Sequence, residues 1–242
     1  MSTVLVLAPH PDDEVLGVGG TILRHLARND TVHVVVCTRG RLPRFPPEQV
    51  EIVQTEARKV HGFLSLTGSH FLDLPAAELD TVPSADVNDA LGRVFQTVKP
   101  DTVYLPHVGD LHRDHQVVFG AGMVCSRPTE GRCPRRILAY ETVSESDWNV
   151  PPLTPAFVPN VFIEITEHIS RKLTACSMYA SQVRPAPDHR SIESLRALSV
   201  MRGHTVGVPH AEAFMLIREI LVGQVVLPAT SGGSPATREW QP

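Results

Sequence analysis

Cysteine, aromatic residues, excess positive charge and long apolar runs are all scarce in this chain, and each shortage removes a class of function. The four cysteines (Cys37, Cys125, Cys133, Cys176) are widely spaced with no C-x-x-C pair. Neither a disulfide frame nor a thiolate zinc knuckle is therefore expected, and the thiols read as free in a reducing compartment. Lys and Arg number 22 against 26 Asp and Glu, giving a net charge of −4, and the basic residues are scattered. With aromatic residues at only 5% and none interleaved with a basic stripe, nucleic acid is not an expected partner. No segment approaches the roughly 18 apolar residues of a membrane span. The N-terminal apolar run breaks at His10 with no basic residue before it, so a signal peptide is not expected either. These absences describe a cytoplasmic protein of one domain, residues 1–227. Residues 228–242 are rich in Pro, Gly, Ser and Thr and read as a disordered tail.

What is present alternates between strand and helix patterns. Thr3–Ala8 is a continuous apolar run, as in a strand covered on both faces. Glu14–Arg28 carries helical periodicity, and Gly17, Gly19 and Gly20 within it read as close-packing positions. Strands are expected at 31–38, 70–74, 102–105, 137–142 and 161–165, and helices at 47–61, 84–98, 167–179 and 191–202. A segment mixing loop and helix spans 111–124. Repeated β-α units of this length predict an α/β fold, a Rossmann-like three-layer sandwich with a mostly parallel sheet. Ligands of such sheets sit outside the carboxyl ends of the strands, here where strands one and four lie side by side.

Both of those strand ends carry unusual chemistry. The first strand runs directly into His10-Pro11-Asp12-Asp13-Glu14, and the fourth is followed by His107 and then Asp110-Leu111-His112-Arg113-Asp114-His115. Three consecutive carboxylates at the end of a buried strand repel one another unless a cation or dedicated donors neutralise them. Acids in the first turn of a helix suit the helix dipole, which accounts for Asp13 and Glu14 but not for His10. Glu14 alone reads as a structural residue that binds backbone amides. Two histidines and a carboxylate make a common catalytic zinc set with positions open for water and substrate. A neighbouring carboxylate can act as base, and an imidazolium can stabilise an oxyanion.

Through these motifs the chain resembles the LmbE-like, or PIG-L-like, zinc-dependent N-deacetylases, over roughly residues 3 to 222. Supporting matches are Thr38-Arg39-Gly40, Tyr140-Glu141, Ser181-Gln182 and Ala211-Glu212-Ala213-Phe214. The resemblance implies that His10, Asp13 and His115 hold the metal and that Asp12 activates the water. It also implies that His112 polarises the scissile carbonyl, with Asp114 supporting it or a neighbouring histidine. Zinc is the implied metal, with iron or cobalt as substitutes. The implied reaction removes an acetyl group from an N-acetylglucosamine-type amino sugar or its conjugate, a small-molecule substrate; a homo-oligomer is compatible with it. The alternatives are another amide in the same family, a facial-triad iron oxygenase and a non-catalytic sugar- or metal-binding protein.

One departure bears on substrate. Members of the family often place an arginine a few residues before the glutamate of the second helix, whereas Ile52, Val53, Gln54 and Thr55 precede Glu56 here. The loop Arg39–Pro47 is instead basic and proline-rich. Arg39 and Arg44 are candidate contacts to an anionic group of the substrate, and Tyr140 is a further candidate substrate contact.

Overall fold

Along the first strand, burial alternates between two separate cores, and that alternation organises the chain. The computed structural model describes residues 1–128 and 133–221; the expected tail lies outside them. In β1 (Thr3–Ala8), Val4, Val6 and Ala8 face one core while Leu5 and Leu7 face the other. A strand buried on both faces has no polar edge to show, which explains its unbroken apolar run.

The chain continues through α1 (Asp13–Ala27), β2 (Thr31–Arg39), α2 (Pro47–Leu64) and β3 (Gly68–Pro75). A short 3-10 turn at Leu79–Thr81 leads to α3 (Ser84–Val98), β4 (Thr102–Pro106), α4 (Arg113–Cys125) and β5 (Arg136–Tyr140). Then follow β6 (Val161–Glu164), α5 (Ile169–Met178), α6 (Ile192–Thr205) and β7 (Ala211–Glu219). The strands form one seven-stranded sheet in the order β3-β2-β1-β4-β5-β7-β6. The pairs from β3 to β5 are parallel, and β7 runs antiparallel to both β5 and β6. Residues of α1, α2, α5 and α6 fill the core on one face, and α3 and α4 cover the other. The result is the expected three-layer α/β sandwich. The strand order reverses between β1 and β4, so the loops that follow these two strands border one crevice.

The glycines of α1 are packing positions. A Cβ on Gly17 would lie 2.2 Å from Tyr140 Cδ2 and 2.9 Å from the Glu141 carbonyl, and one on Gly20 would lie 2.7 Å from Ile165 Cγ2. Behind them, Glu212 of β7 accepts the Gly20 and Thr21 N–H groups at 2.8 and 2.7 Å and the Lys172 ammonium at 2.6 Å. Lys172 also donates to the Leu16 carbonyl. A buried ion pair is tolerable only when hydrogen bonds complete both partners, and this one ties α1, α5 and β7 together.

Gly17→Ala forces Tyr140 or the backbone at Glu141 to move. The expected cost is about 1–3 kcal/mol of overpacking, read as a lower urea midpoint with an unchanged slope.

Candidate metal centre

After Ala8 the chain bends sharply through Pro9–Asp12. Thr38 at the end of β2 secures the bend, its N–H and Oγ1 both donating to the Pro9 carbonyl at 3.1 and 2.8 Å. Asp12 has φ of 116°, a left-handed conformation that costs a side-chain-bearing residue about 1–3 kcal/mol. Glu14 holds it there. Its Oε2 accepts the Asp12 N–H at 3.1 Å, and its Oε1 accepts the Tyr179 hydroxyl at 2.6 Å. Glu14 thus has the structural role expected of it, and Asp12 and Asp13 are free to point elsewhere.

Asp13 meets residues from the second motif. Its Oδ2 accepts the His10 N–H at 2.8 Å and lies 3.3 Å from both His10 Nδ1 and His115 Nε2. The outer nitrogens of both rings are engaged. His115 Nδ1 donates to Asp110 at 2.8 Å, and His10 Nε2 donates to Asp114 at 3.0 Å. Asp114 is fixed in turn by the N–H groups of Ala77 (2.6 Å) and Leu79 (3.1 Å). It therefore supports His10 rather than His112. Asp110, which sequence reasoning placed in the cluster without a role, orients His115.

His10, Asp13 and His115 offer ligand atoms within 4.8 Å of one another. Asp13 Oδ1 and His115 Nε2 are buried and make no hydrogen bond. Orphaned buried polar atoms of this kind need an explanation, and two imidazoles with a carboxylate fit a divalent cation with positions left open. His10, His112 and Asp114 form a second group of suitable spacing. It fits less well, because both Asp114 oxygens are occupied and His112 Nδ1 accepts the Asp114 N–H at 3.1 Å.

The electrostatics follow from five buried carboxylates, Asp12, Asp13, Glu14, Asp110 and Asp114. Burial opposes charge on His10 and His115, but their carboxylate partners overcome it, raising the two pKa values to about 9 and about 10. Burial likewise opposes charge on Asp13, and the two histidines nevertheless hold it well below the usual carboxylate range. Burial pushes Asp12 up to about 7 against the pull of Arg190, whose Nη1 sits 3.0 Å away. Burial and the cationic His10 lower His112 to about 4. Because His112 Nδ1 is an acceptor, its neutral ring carries hydrogen on Nε2. The group expected as an imidazolium is thus a neutral donor.

A cavity of about 620 Å³ opens over this centre, with His10, Asp12 and His112 in its lining. Glu145 and Arg190 line it too, and neither was singled out from sequence. Glu145 accepts the His112 N–H at 3.1 Å, and Arg190 bonds Ser144 as well as Asp12. Each stands in a loop without periodic pattern, so no local signal marked it. Three expected substrate contacts are absent from the lining. Arg39 lies near Glu51 and Asp73 (3.7 and 3.8 Å), and Arg44 lies near Glu78 (3.9 Å). Tyr140 is fully buried with its hydroxyl on the Leu7 carbonyl at 2.7 Å. The two arginines thus stand beside acids outside the lining, and the tyrosine is held in the core.

The PIG-L family, described as GlcNAc-PI de-N-acetylase, matches residues 5–126, which is half of the chain and includes both motifs. The chain belongs to this de-N-acetylase family. Among curated relatives, the 1D-myo-inositol 2-acetamido-2-deoxy-alpha-D-glucopyranoside deacetylase of Mycobacterium sp. (strain JLS) is 24% identical over 261 residues, covering 88% of this chain and 83% of the relative. The N,N'-diacetylchitobiose deacetylase structure from Pyrococcus horikoshii superposes with a TM-score of 0.70 at 24% identity, covering 88% and 83% of the two chains. The fold is shared as well with GalB, the 4-carboxy-2-hydroxymuconate hydratase of Pseudomonas putida KT2440, at a TM-score of 0.70, 19% identity and coverage of 93% and 100%. The sandwich therefore does not dictate the reaction.

In the metal-free protein, protons on His10 and His115 balance the carboxylates. Both pKa values lie above the ordinary 6.5, so this stabilisation is complete below about pH 6.5 and is lost as pH rises through about 9 to 10. The urea midpoint of chelator-treated protein should fall across that interval.

Proposed function

We propose that the protein is a metal-dependent hydrolase that removes the N-acetyl group from an N-acetylglucosamine-type amino sugar or its conjugate. The observation that carries the reading is the orphaned pair Asp13 Oδ1 and His115 Nε2, set beside Asp12, a carboxylate of the same cavity that belongs to neither ligand group. Membership of a de-N-acetylase family supports it, as does the amino-sugar chemistry of the mycobacterial and Pyrococcus relatives.

His10, Asp13 and His115 would hold the ion, zinc by the chemistry of the donor set, with iron(II) or cobalt(II) able to substitute. A cation bound there supplies Lewis acidity to the carbonyl and lowers the pKa of water. Asp12 accepts the proton of the attacking water and returns it to the departing amine. Burial raises the proton affinity of this carboxylate, which suits a group that both takes up and returns a proton. His112, neutral and donating through Nε2, hydrogen-bonds the oxygen on which charge develops. Asp110 and Asp114 fix the two ligand rings and strengthen them as donors. Arg190 holds the Asp12 carboxylate and is itself set by Ser144 and Glu145.

The test combines elemental analysis with acetate release from N-acetylglucosamine conjugates. The wild type should hold about one zinc and release acetate, and His10→Ala or His115→Ala should lose both. Asp12→Ala should keep the metal and lose about 10²–10⁴ in rate, the usual contribution of a positioned base. His112→Ala should also keep the metal and lose rate. Loss of metal in Asp12→Ala would overturn the division between ligand and base. Acetate release also separates this reading from hydration chemistry on the same fold and from an oxygen-dependent reaction.

A second expectation concerns Asp110. Asp110→Ala frees the His115 ring, and chelator competition should show metal affinity lower by about 10–100-fold.

A further inference from the structure

The outer wall of the cavity carries a run of apolar side chains, and nothing among the described residues covers it. On α2, Ala57, Val60 and Leu64 are buried in the core. Val50 and Val53 continue the same helical stripe toward the N-terminus, where they line the cavity together with Ile52, which is 52% exposed. The stripe thus runs past the end of the core into space that a ligand would fill.

Phe45 completes this wall. A Cβ on Gly40 would lie 2.9 Å from Phe45 Cβ and 3.0 Å from Val50 Cγ2; the missing side chain lets the ring fold down against the helix. The Phe45 N–H donates to the Arg41 carbonyl at 3.0 Å. Arg41 pairs with Glu78 at 2.9 Å, and Arg44 lies 3.9 Å from the same carboxylate. The basic residues of this loop therefore anchor it from outside and leave Phe45 as its face toward the cavity.

The charged lining stands elsewhere. The arginines of the lining are Arg184 and Arg190, both from the segment after α5, and hydrogen-bonding amides come from Gln49 and Gln54, which alternate with the apolar residues of α2, and from Gln182. An anionic appendage laid against Phe45 and Ile52 would find no positive partner on that wall. A volume of about 620 Å³ falls within the range of about 300–1,000 Å³ typical of pockets for drug-sized ligands, more than one sugar ring requires.

We propose that this wall receives an apolar aglycone, so that the preferred substrate is an N-acetylated amino sugar bearing an aryl or alkyl group. The proposal rests on the deacetylase reading above and names the substrate class. A sugar ring supplies hydroxyl partners for the three glutamine amides, and its appendage covers Phe45, Val50, Ile52 and Val53. A fatty N-acyl chain would cover the wall but supply no partner to the amides, and a polar group denied its partner on burial costs about 1–3 kcal/mol.

The test uses the zinc-loaded full chain with methyl, phenyl and octyl N-acetylglucosaminides and with the methyl glycoside of N-octanoylglucosamine. Acetate or octanoate release gives kcat/KM, and calorimetry on Asp12→Ala gives binding without turnover. Burying two methylene groups corresponds to about tenfold, so phenyl and octyl glycosides should exceed the methyl glycoside by at least about tenfold in both readouts. Phe45→Ser and Ile52→Ser, both outside the core, should each pull that ratio toward one. A ratio near one in the wild type, a ratio unmoved by both variants, or preference for the N-octanoyl compound would overturn the proposal. Selective binding of the octyl glycoside with no acetate released from any compound would keep the wall and overturn the deacetylase reading.

Discussion

Everything at the carboxyl ends of β1 and β4 depends on balancing a concentration of buried negative charge. Asp12, Asp13, Glu14, Asp110 and Asp114 are almost wholly out of water, and unpaired carboxylates there would push each other toward protonation. Each has its own answer. Glu14 takes an N–H and a tyrosine hydroxyl, Asp114 takes two backbone N–H groups and His10, Asp110 takes His115, and Asp12 takes Arg190. Of the five, Asp13 alone keeps a buried oxygen without a hydrogen-bond partner. The same field that raises the proton affinity of His10 and His115 would favour a cation held between them, for which protons would then compete.

How much of this was legible from the sequence depended on whether the signal was local. β1 and β2 were readable as short, largely apolar runs, and α1 and α3 because each carries a helical period. The meeting of the two motifs was readable because a parallel sheet with a reversal of strand order leaves few places for its loops to go. β7 carried no clear strand signal. Ala-Glu-Ala-Phe-Met-Leu is rich in helix formers, and only its pairing with β5 and β6 makes it extended. Pairing of that kind is decided at long range and leaves no trace in a window of ten residues.

The same distinction separates the parts of the site. His10, Asp12 and Asp13 follow one another in sequence, and His112 and His115 share the start of α4, so a short motif reports them. Arg190 and Glu145 reach the site from irregular loops, and their contacts with Asp12 and His112 are tertiary. At Arg39 and Arg44 the sequence showed the charge but not the acids beside it. A basic loop suggests an anionic ligand, but the acids that neutralise it lie at Glu51, Asp73 and Glu78, and their proximity is fixed only by the fold.

The left-handed turn at Asp12 has a consequence for how such a protein can diversify. The strained backbone, Glu14 and Tyr179 hold Asp12 from beneath, through residues outside the cavity lining. The walls of the cavity are supplied separately, by the loop after β2, the first turns of α2 and the segment after α5. The contacts beneath Asp12 and most of the cavity wall thus come from different stretches of chain, joined at Arg190, which lines the cavity and holds Asp12. Substitutions in the wall away from Arg190 can accumulate without unlocking that carboxylate, which leaves the shape of the cavity open to change.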